Sequence, residues 1–286
     1  MKFGSVTQPE KVDFTLPADH PDSFFKSTQA RPSIYVGCAK WNRQDLKGFY
    51  PRGTKDELIY YASQFNSIEL NATFYNYSKE QVEKWKEKTP ESFKFFPKVS
   101  QTISHFKRLK DAEDAVNEYC DAISFFEEKL GMVFLQLIDN FRCEKNFERL
   151  KQFIENWPKA IPLAVEVRSN DWFDEPNYYR LLEKNNICHV ITDTAGRRDL
   201  LHMRLTNPKA FIRYVGANHS SDISRLDDWV TRIGEWTEKG IEEIYFFIHQ
   251  NMEKSSPLLS AYFVEQLNKR LGYELKVPNS GSQTLF

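Results

Sequence analysis

Polar and apolar positions alternate in blocks along nearly the whole chain. Short, almost wholly apolar runs are each followed by a longer stretch with helical periodicity. The runs are "SIYVG" from Ser33, "SIEL" from Ser67, "FKFFPKV" from Phe93, "MVFLQL" from Met132, "PLAVEVR" from Pro162, "ICHVITD" from Ile187, "AFIRYVG" from Ala210 and "EIYFFIH" from Glu243. Between them lie amphipathic stretches such as "TKDELIYYASQF", "SKEQVEKWKEK", "EKNFERLKQFIENW" and "SRLDDWVTRIGEWTEK". "DAEDAVNEYCDAISFFEEKL" reads as one long helix. Thr54 with Glu57, and Ser78 with Gln81, have capping-box spacing, and Ser224 stands before another amphipathic segment. Eight strand-then-helix units predict a single-domain (β/α)₈ barrel over residues 31–275, irregular around the sixth strand, where the following helix is weakest. Residues 1–30 form an N-terminal extension in this reading, and 276–286 a flexible tail. A doubly wound open sheet is the structural alternative, but neither G-x-G-x-x-G nor G-x-x-x-x-G-K follows a strand.

Strands of a parallel barrel are covered on both faces, so a polar residue inside one is costly unless paired or used. In "SIELN", Ile68 and Leu70 share one face and Glu69 and Asn71 the other. With the apolar pair on the helices, Glu69 and Asn71 point into the barrel. The same parity turns Glu166 and Arg168 inward, and Gln136 and Arg213 lie between apolar neighbours. Lys98, Asp193 and His249 close their strands with the parity assigned to this set. All lie near the C-terminal strand ends, where barrel enzymes build their sites. The competing explanation is an ion-pair network that only fills the lumen.

Charge refines the chemistry. Glu69, Glu166 and Asp193 are balanced by Lys98, Arg168 and Arg213, whereas a divalent-metal site keeps excess negative charge or neutral histidines. A tightly bound metal is therefore not favoured, and the sequence identifies no cofactor. Arginine and lysine at a pocket mouth favour a phosphate or carboxylate. His105, in the loop after the third strand, is a candidate general acid or base. Trp41, Phe74, Tyr75 and Trp172 follow strands one, two and five, where aromatic faces suit a sugar or base. The catalytic candidates are thus Glu69, Glu166, Asp193 and His105. The binding candidates are Asn71, Lys98, Gln136, Arg168, Arg213, His249, Trp41, Tyr75 and Trp172.

The chain has 286 residues and a net charge of −1, with no bias toward nucleic acid; the run from His105 to Lys110 is its compact basic stretch. No run approaches the ~18 apolar residues of a membrane helix, and the first residues do not read as a signal peptide. The four cysteines are far apart and form no C-x-x-C pair, the pattern of reduced thiols in a cytoplasmic protein.

The segments "YVGCAKW", "GFYP", "YYASQFNSIELNATFY", "FKFFPKVSQTISH", "LGMVFLQL", "AVEVRSNDWF" and "FIRYVG" resemble, in order, the landmarks of the YecE-like family of unknown function. The resemblance covers roughly residues 33 to 250 and implies a TIM barrel; it transfers no reaction. The chain departs from that pattern at Lys40, Ile138, Ser169 and Val215, with His219 a candidate replacement for the histidine expected near Val215. The resulting expectation is an enzyme using Glu69 or Glu166 as acid or base on a small anionic, sugar-like or phosphorylated substrate, by hydrolysis, isomerisation or lyase chemistry. A nucleic-acid or nucleotide-binding module without catalysis is the alternative.

Overall fold

The computed structural model describes residues 4–25 and 31–280. Eight parallel strands alternate with helices: β1 Ser33–Cys38, β2 Ser67–Leu70, β3 Lys94–Pro97, β4 Val133–Gln136, β5 Leu163–Glu166, β6 Cys188–Thr194, β7 Lys209–Gly216 and β8 Glu243–Gln250. The helices are α1 Glu57–Gln64, α2 Ala72–Tyr75, α3 Lys79–Glu87, α4 Glu113–Ser124, α5 Cys143–Asn156, α6 Pro176–Lys184, α7 Ser221–Lys239 and α8 Ser256–Leu271. The result is a mixed α/β single-domain fold. Six strands run in the order β1-β8-β7-β6-β5-β4, and β2 and β3 form a second ladder.

The expected single closed ladder is therefore not what the backbone shows. Between β3 and β4 there are isolated parallel bridges, Phe95 with Leu130 and Lys98 with Phe134. Between β1 and β2 side chains take over. Asn66 accepts from Val36 N at 2.9 Å and donates to Ile34 O at 2.9 Å. The Tyr61 hydroxyl accepts from Cys38 N and donates to Ser67 O. A Cβ on Gly37 would stand 2.4 Å from Ser67 O, so only glycine lets β1 come this close to β2.

Two large apolar layers lie between strands and helices, and a third cluster lies on the opposite strand face. That inner cluster joins Phe96, Phe134, Ala164, Val190, Phe211 and Phe247 from six strands, with Tyr35 of β1 packed on it. Period-two alternation carries each strand from these apolar residues to the polar residues at its C-terminal end.

Several helix boundaries differ from the sequence expectation. Asp56, not Thr54, caps α1, accepting from Leu58 N and Ile59 N, while Thr54 bonds back to Pro51 O. Ser78 caps α3 as expected, accepting from Gln81 N. Ser224 lies inside α7 and donates to Ser221 O. The long helix expected over 111–130 ends at Ser124; Glu127 has φ +51°, and a short 3₁₀ turn follows. After β6 the chain forms 3₁₀ turns over Ala195–Leu200 rather than an α-helix, the irregularity expected there.

Residues 4–25 lie against β6, β7 and α7. Phe24 N donates to Leu205 O, and Asp19 receives Arg232, Trp236 and Lys239. At the other end, Lys276 Nζ donates to Ser63 O, and Asn279 N to Gln64 Oε1. Residues 281–286 of the expected tail lie outside the described residues.

Candidate functional site

The inward polar residues form one connected cluster. Arg213 of β7 is its centre. Its Nε and Nη2 donate to Glu69 Oε2 and Oε1, both at 2.8 Å, and its Nη1 donates to Glu166 Oε2 at 2.7 Å. Glu69 also accepts from Asn71 Nδ2 at 2.8 Å, and its Oε2 lies 2.8 Å from His249 Nε2. Glu166 Oε1 receives Thr192 Oγ1 at 3.0 Å and Arg168 Nη2 at 2.9 Å. Gln136 Oε1 accepts from both Arg168 Nη2 and Lys98 Nζ.

Glu69 is 0 % exposed, so its carboxylate does not reach solvent. Burial alone would raise its pKa; Arg213 and then His249 outweigh burial and hold it well below the usual carboxylate range. Glu166 behaves likewise: burial raises it, and Arg168, Arg213 and Lys98 bring it below the ordinary value. Both are therefore committed carboxylates at neutral pH. Arg213 spends all three nitrogens on them. Arg213, a binding candidate, is thus held between two carboxylates.

Lys98 differs. It is half-buried, and the one hydrogen bond of its ammonium among the described residues goes to the neutral Gln136, with no carboxylate in ion-pair contact. Its ammonium stands 4.3 Å from the Phe74 ring centre and 6.0 Å from that of Phe134. Burial, then Arg213 and Arg168, push its pKa down to about 8 against the opposing pull of Glu166 and Glu69. His105 sits edge-on to the same Phe74 ring at 4.8 Å, with Nδ1 2.9 Å from Ser104 Oγ. Its pKa is lowered by burial and then by Lys98 and Arg168. Lysine, imidazole and an aromatic face thus converge beside β2 and β3.

Other candidates lie elsewhere. Asp193 faces outward, contrary to the expected parity. It receives Arg225 Nη2 and Trp229 Nε1 from α7, together with Arg198. In β6 the inward residues are Cys188, Val190 and Thr192, so Thr192 holds the place assigned to Asp193. Trp172 is a core residue: its indole donates to Phe141 O, and its ring stacks on Phe141. Trp41 packs on Trp85 of α3, 5.7 Å away, in the helical layer. Tyr75, 72 % exposed, lies 4.9 Å from Phe74. His219 bonds to Ser221 at the start of α7 and Ser169 to Arg142. Within the basic run, Arg108 reaches Asn140, Lys107 turns to Asp111 O and Leu109 is buried, so no continuous basic strip forms.

Thr192 and Phe134 were missed by sequence reasoning. Reading β6 inward from its smaller residues would have found Thr192; Phe134 differs from other core phenylalanines only through its neighbours. Among the described residues, no group of three His, Cys, Asp or Glu side chains could hold a metal. No described helix is long and apolar enough to cross a membrane. A groove of about 640 Å³ between α4 and α5, lined by Val116, Phe153 and Trp157, shares no residue with the cluster.

Fold and cluster define a class: an α/β protein of parallel strands with a buried ion network at their C-terminal ends. Residues 35–281 match the family described as protein of unknown function DUF72, and the chain belongs to it. It is 28% identical over 265 residues to the UPF0759 protein YecE of Escherichia coli K12, covering 83% of this chain and 94% of that one. It is 32% identical over 236 residues to the UPF0759 protein YunF of Bacillus subtilis, covering 77% and 80%. Crystal structures of DUF72 family proteins share the fold. That from Thermotoga maritima has TM-score 0.68 and 25% identity, over 84% of this chain and all of that one. That from Enterococcus faecalis has TM-score 0.65 and 21% identity, over 86% and all of that one.

Proposed function

We propose that the two ladders together make one (β/α)₈ barrel spanning residues 31–275, and that its C-terminal mouth binds and transforms a small anionic, sugar-like or phosphorylated molecule. The barrel reading is supported by Glu69 of β2 bonding to Arg213 of β7 and His249 of β8, which needs the strands to surround a shared lumen. In this reading Glu69 and Glu166 are positioning carboxylates. They fix Arg213 and Arg168, and those cations set the electrostatics around Lys98.

The observation that carries the reading is Lys98 itself. It is half-buried at the mouth, bonded to one neutral amide, beside a histidine and an aromatic face. An ammonium so placed attracts a phosphate or carboxylate, and His105 is placed to move a proton. Tyr75 offers a ring to the rest of the ligand. Nucleic acid is the weaker alternative, because the basic run from His105 to Lys110 does not continue as a groove. Four buried free cysteines suit a cytoplasmic setting.

Titration calorimetry with inorganic phosphate tests the site. Wild type should bind saturably at one site, and Lys98→Met should weaken binding roughly tenfold or more, the loss of about one charge-assisted contact. No binding to wild type, or equal binding to both proteins, rejects the reading.

A further inference from the structure

Lys98 has features that holding an anion does not require. A lysine that only grips a phosphate is best kept fully charged, beside carboxylates that raise its pKa. Here the nearby carboxylates are spent on arginines, and the hydrogen-bond partner of Lys98 is a neutral amide. Two aromatic rings line the ammonium. Desolvation and neighbouring cations are the means by which a lysine becomes a nucleophile at neutral pH.

We propose that Lys98 forms an imine with an aldehyde or ketone that carries a phosphate or carboxylate. This rests on the mouth being the ligand site and names the substrate class: an anionic carbonyl compound. The unprotonated Nζ attacks the carbonyl carbon. A C–N bond forms, and the carbonyl oxygen takes a proton from water. Nitrogen gives one proton to the neutral His105 imidazole. The imidazolium so formed passes that proton to the hydroxyl, and water leaves as the C–O bond breaks and the nitrogen lone pair closes the C=N bond. No oxidant or reductant is consumed. Arg168 and Arg213, both close enough to act on Lys98 electrostatically, favour a substrate that carries an anionic group. The pKa near 8 agrees with this role. At neutral pH it gives a free-amine fraction roughly a few hundredfold above that of an ordinary lysine.

The test is borohydride trapping. Wild type is incubated with pyruvate or, separately, with glyceraldehyde 3-phosphate, reduced with sodium borohydride and mapped by peptide mass spectrometry. Lys98 should carry an adduct with at least one of the two, formed roughly tenfold or more faster than on exposed lysines such as Lys55 or Lys110. The responding compound separates an oxo acid from a sugar phosphate. Lys98→Arg should lose the adduct. Gln136→Glu keeps Lys98 but gives it a carboxylate partner, and trapping should slow roughly tenfold. Labelling spread evenly over exposed lysines, labelling unchanged in Gln136→Glu, or no adduct at Lys98 with either compound overturns the imine. If phosphate still binds in a Lys98-dependent way, the imine fails and the site reading stands; if phosphate binding is also absent, both fail.

Discussion

Glu69→Gln separates a positioning carboxylate from one that meets the ligand. The substitution keeps the shape and one acceptor oxygen but removes a charge contacted at 2.8 Å by two nitrogens of Arg213, by Asn71 and by His249. Three cations, Lys98, Arg168 and Arg213, would then face Glu166 alone. At an effective dielectric near 20, two unit charges about 4 Å apart interact by about 4 kcal/mol. Breaking one side of a buried pair costs on the order of 3–5 kcal/mol. The amide recovers part of this, so the expected loss is about 3 kcal/mol, or a melting point lower by roughly 6–12 °C for a chain of this size. Because the folded pKa of Glu69 is depressed, its stabilising effect is present above the unfolded carboxylate pKa and is lost as pH falls through the folded one. The gap between the urea curves of wild type and variant should therefore be wide at pH 7 and close in acid. A loss under about 1 kcal/mol at pH 7, with phosphate binding abolished, would refute the positioning role and return Glu69 to the ligand.

Lys98→Met should cost no stability at pH 7 and is expected to gain about 1 kcal/mol, because an ammonium that is desolvated without a carboxylate partner opposes folding. With its folded pKa depressed, that penalty is present below about pH 8 and fades toward the unfolded lysine value, so thermal melts of the two proteins should converge in alkali. A second acid-sensitive pair lies outside the cluster. His189 and His202 stack at 3.8 Å with both pKa values lowered by burial, that of His202 to about 4. Between the unfolded histidine pKa and these folded values the unfolded chain binds more protons, so stability falls as pH drops through that window. His189→Phe should flatten this limb by about 2 kcal/mol in urea titrations at pH 5 relative to pH 7, and an unchanged slope would refute it.

Much of the fold was legible because burial on both faces of a parallel strand leaves a nearly continuous apolar run, and all eight runs became strands. The polar set at six strand ends was legible for the same reason: Glu69, Lys98, Gln136, Glu166, Arg213 and His249 interrupt runs that should not contain them. Asp193 was misread because β6 is buried throughout, so a wholly covered strand gives no alternation to fix its parity. Trp172 was misassigned because an aromatic after a strand reads the same whether it faces the mouth or the core. Its bond to Phe141 O is a tertiary fact. The β1–β2 seam was invisible because Asn66 and Tyr61 replace backbone bonds with side-chain bonds. Nor does sequence show which cation is spent. Arg168, Arg213 and Lys98 look alike as letters, and only the geometry commits Arg213 to two carboxylates and leaves Lys98 with an amide.

In the proposed function Lys98 is a mouth cation kept out of the ion pairs and tuned for a ligand. This role is tested most directly by reductive ¹³C-methylation and NMR titration of the Lys98 resonance, assigned with Lys98→Arg, with and without inorganic phosphate. A midpoint near 8 that rises when phosphate binds is expected, because the anion favours the charged amine. A midpoint in the ordinary lysine range, unmoved by phosphate, would contradict it.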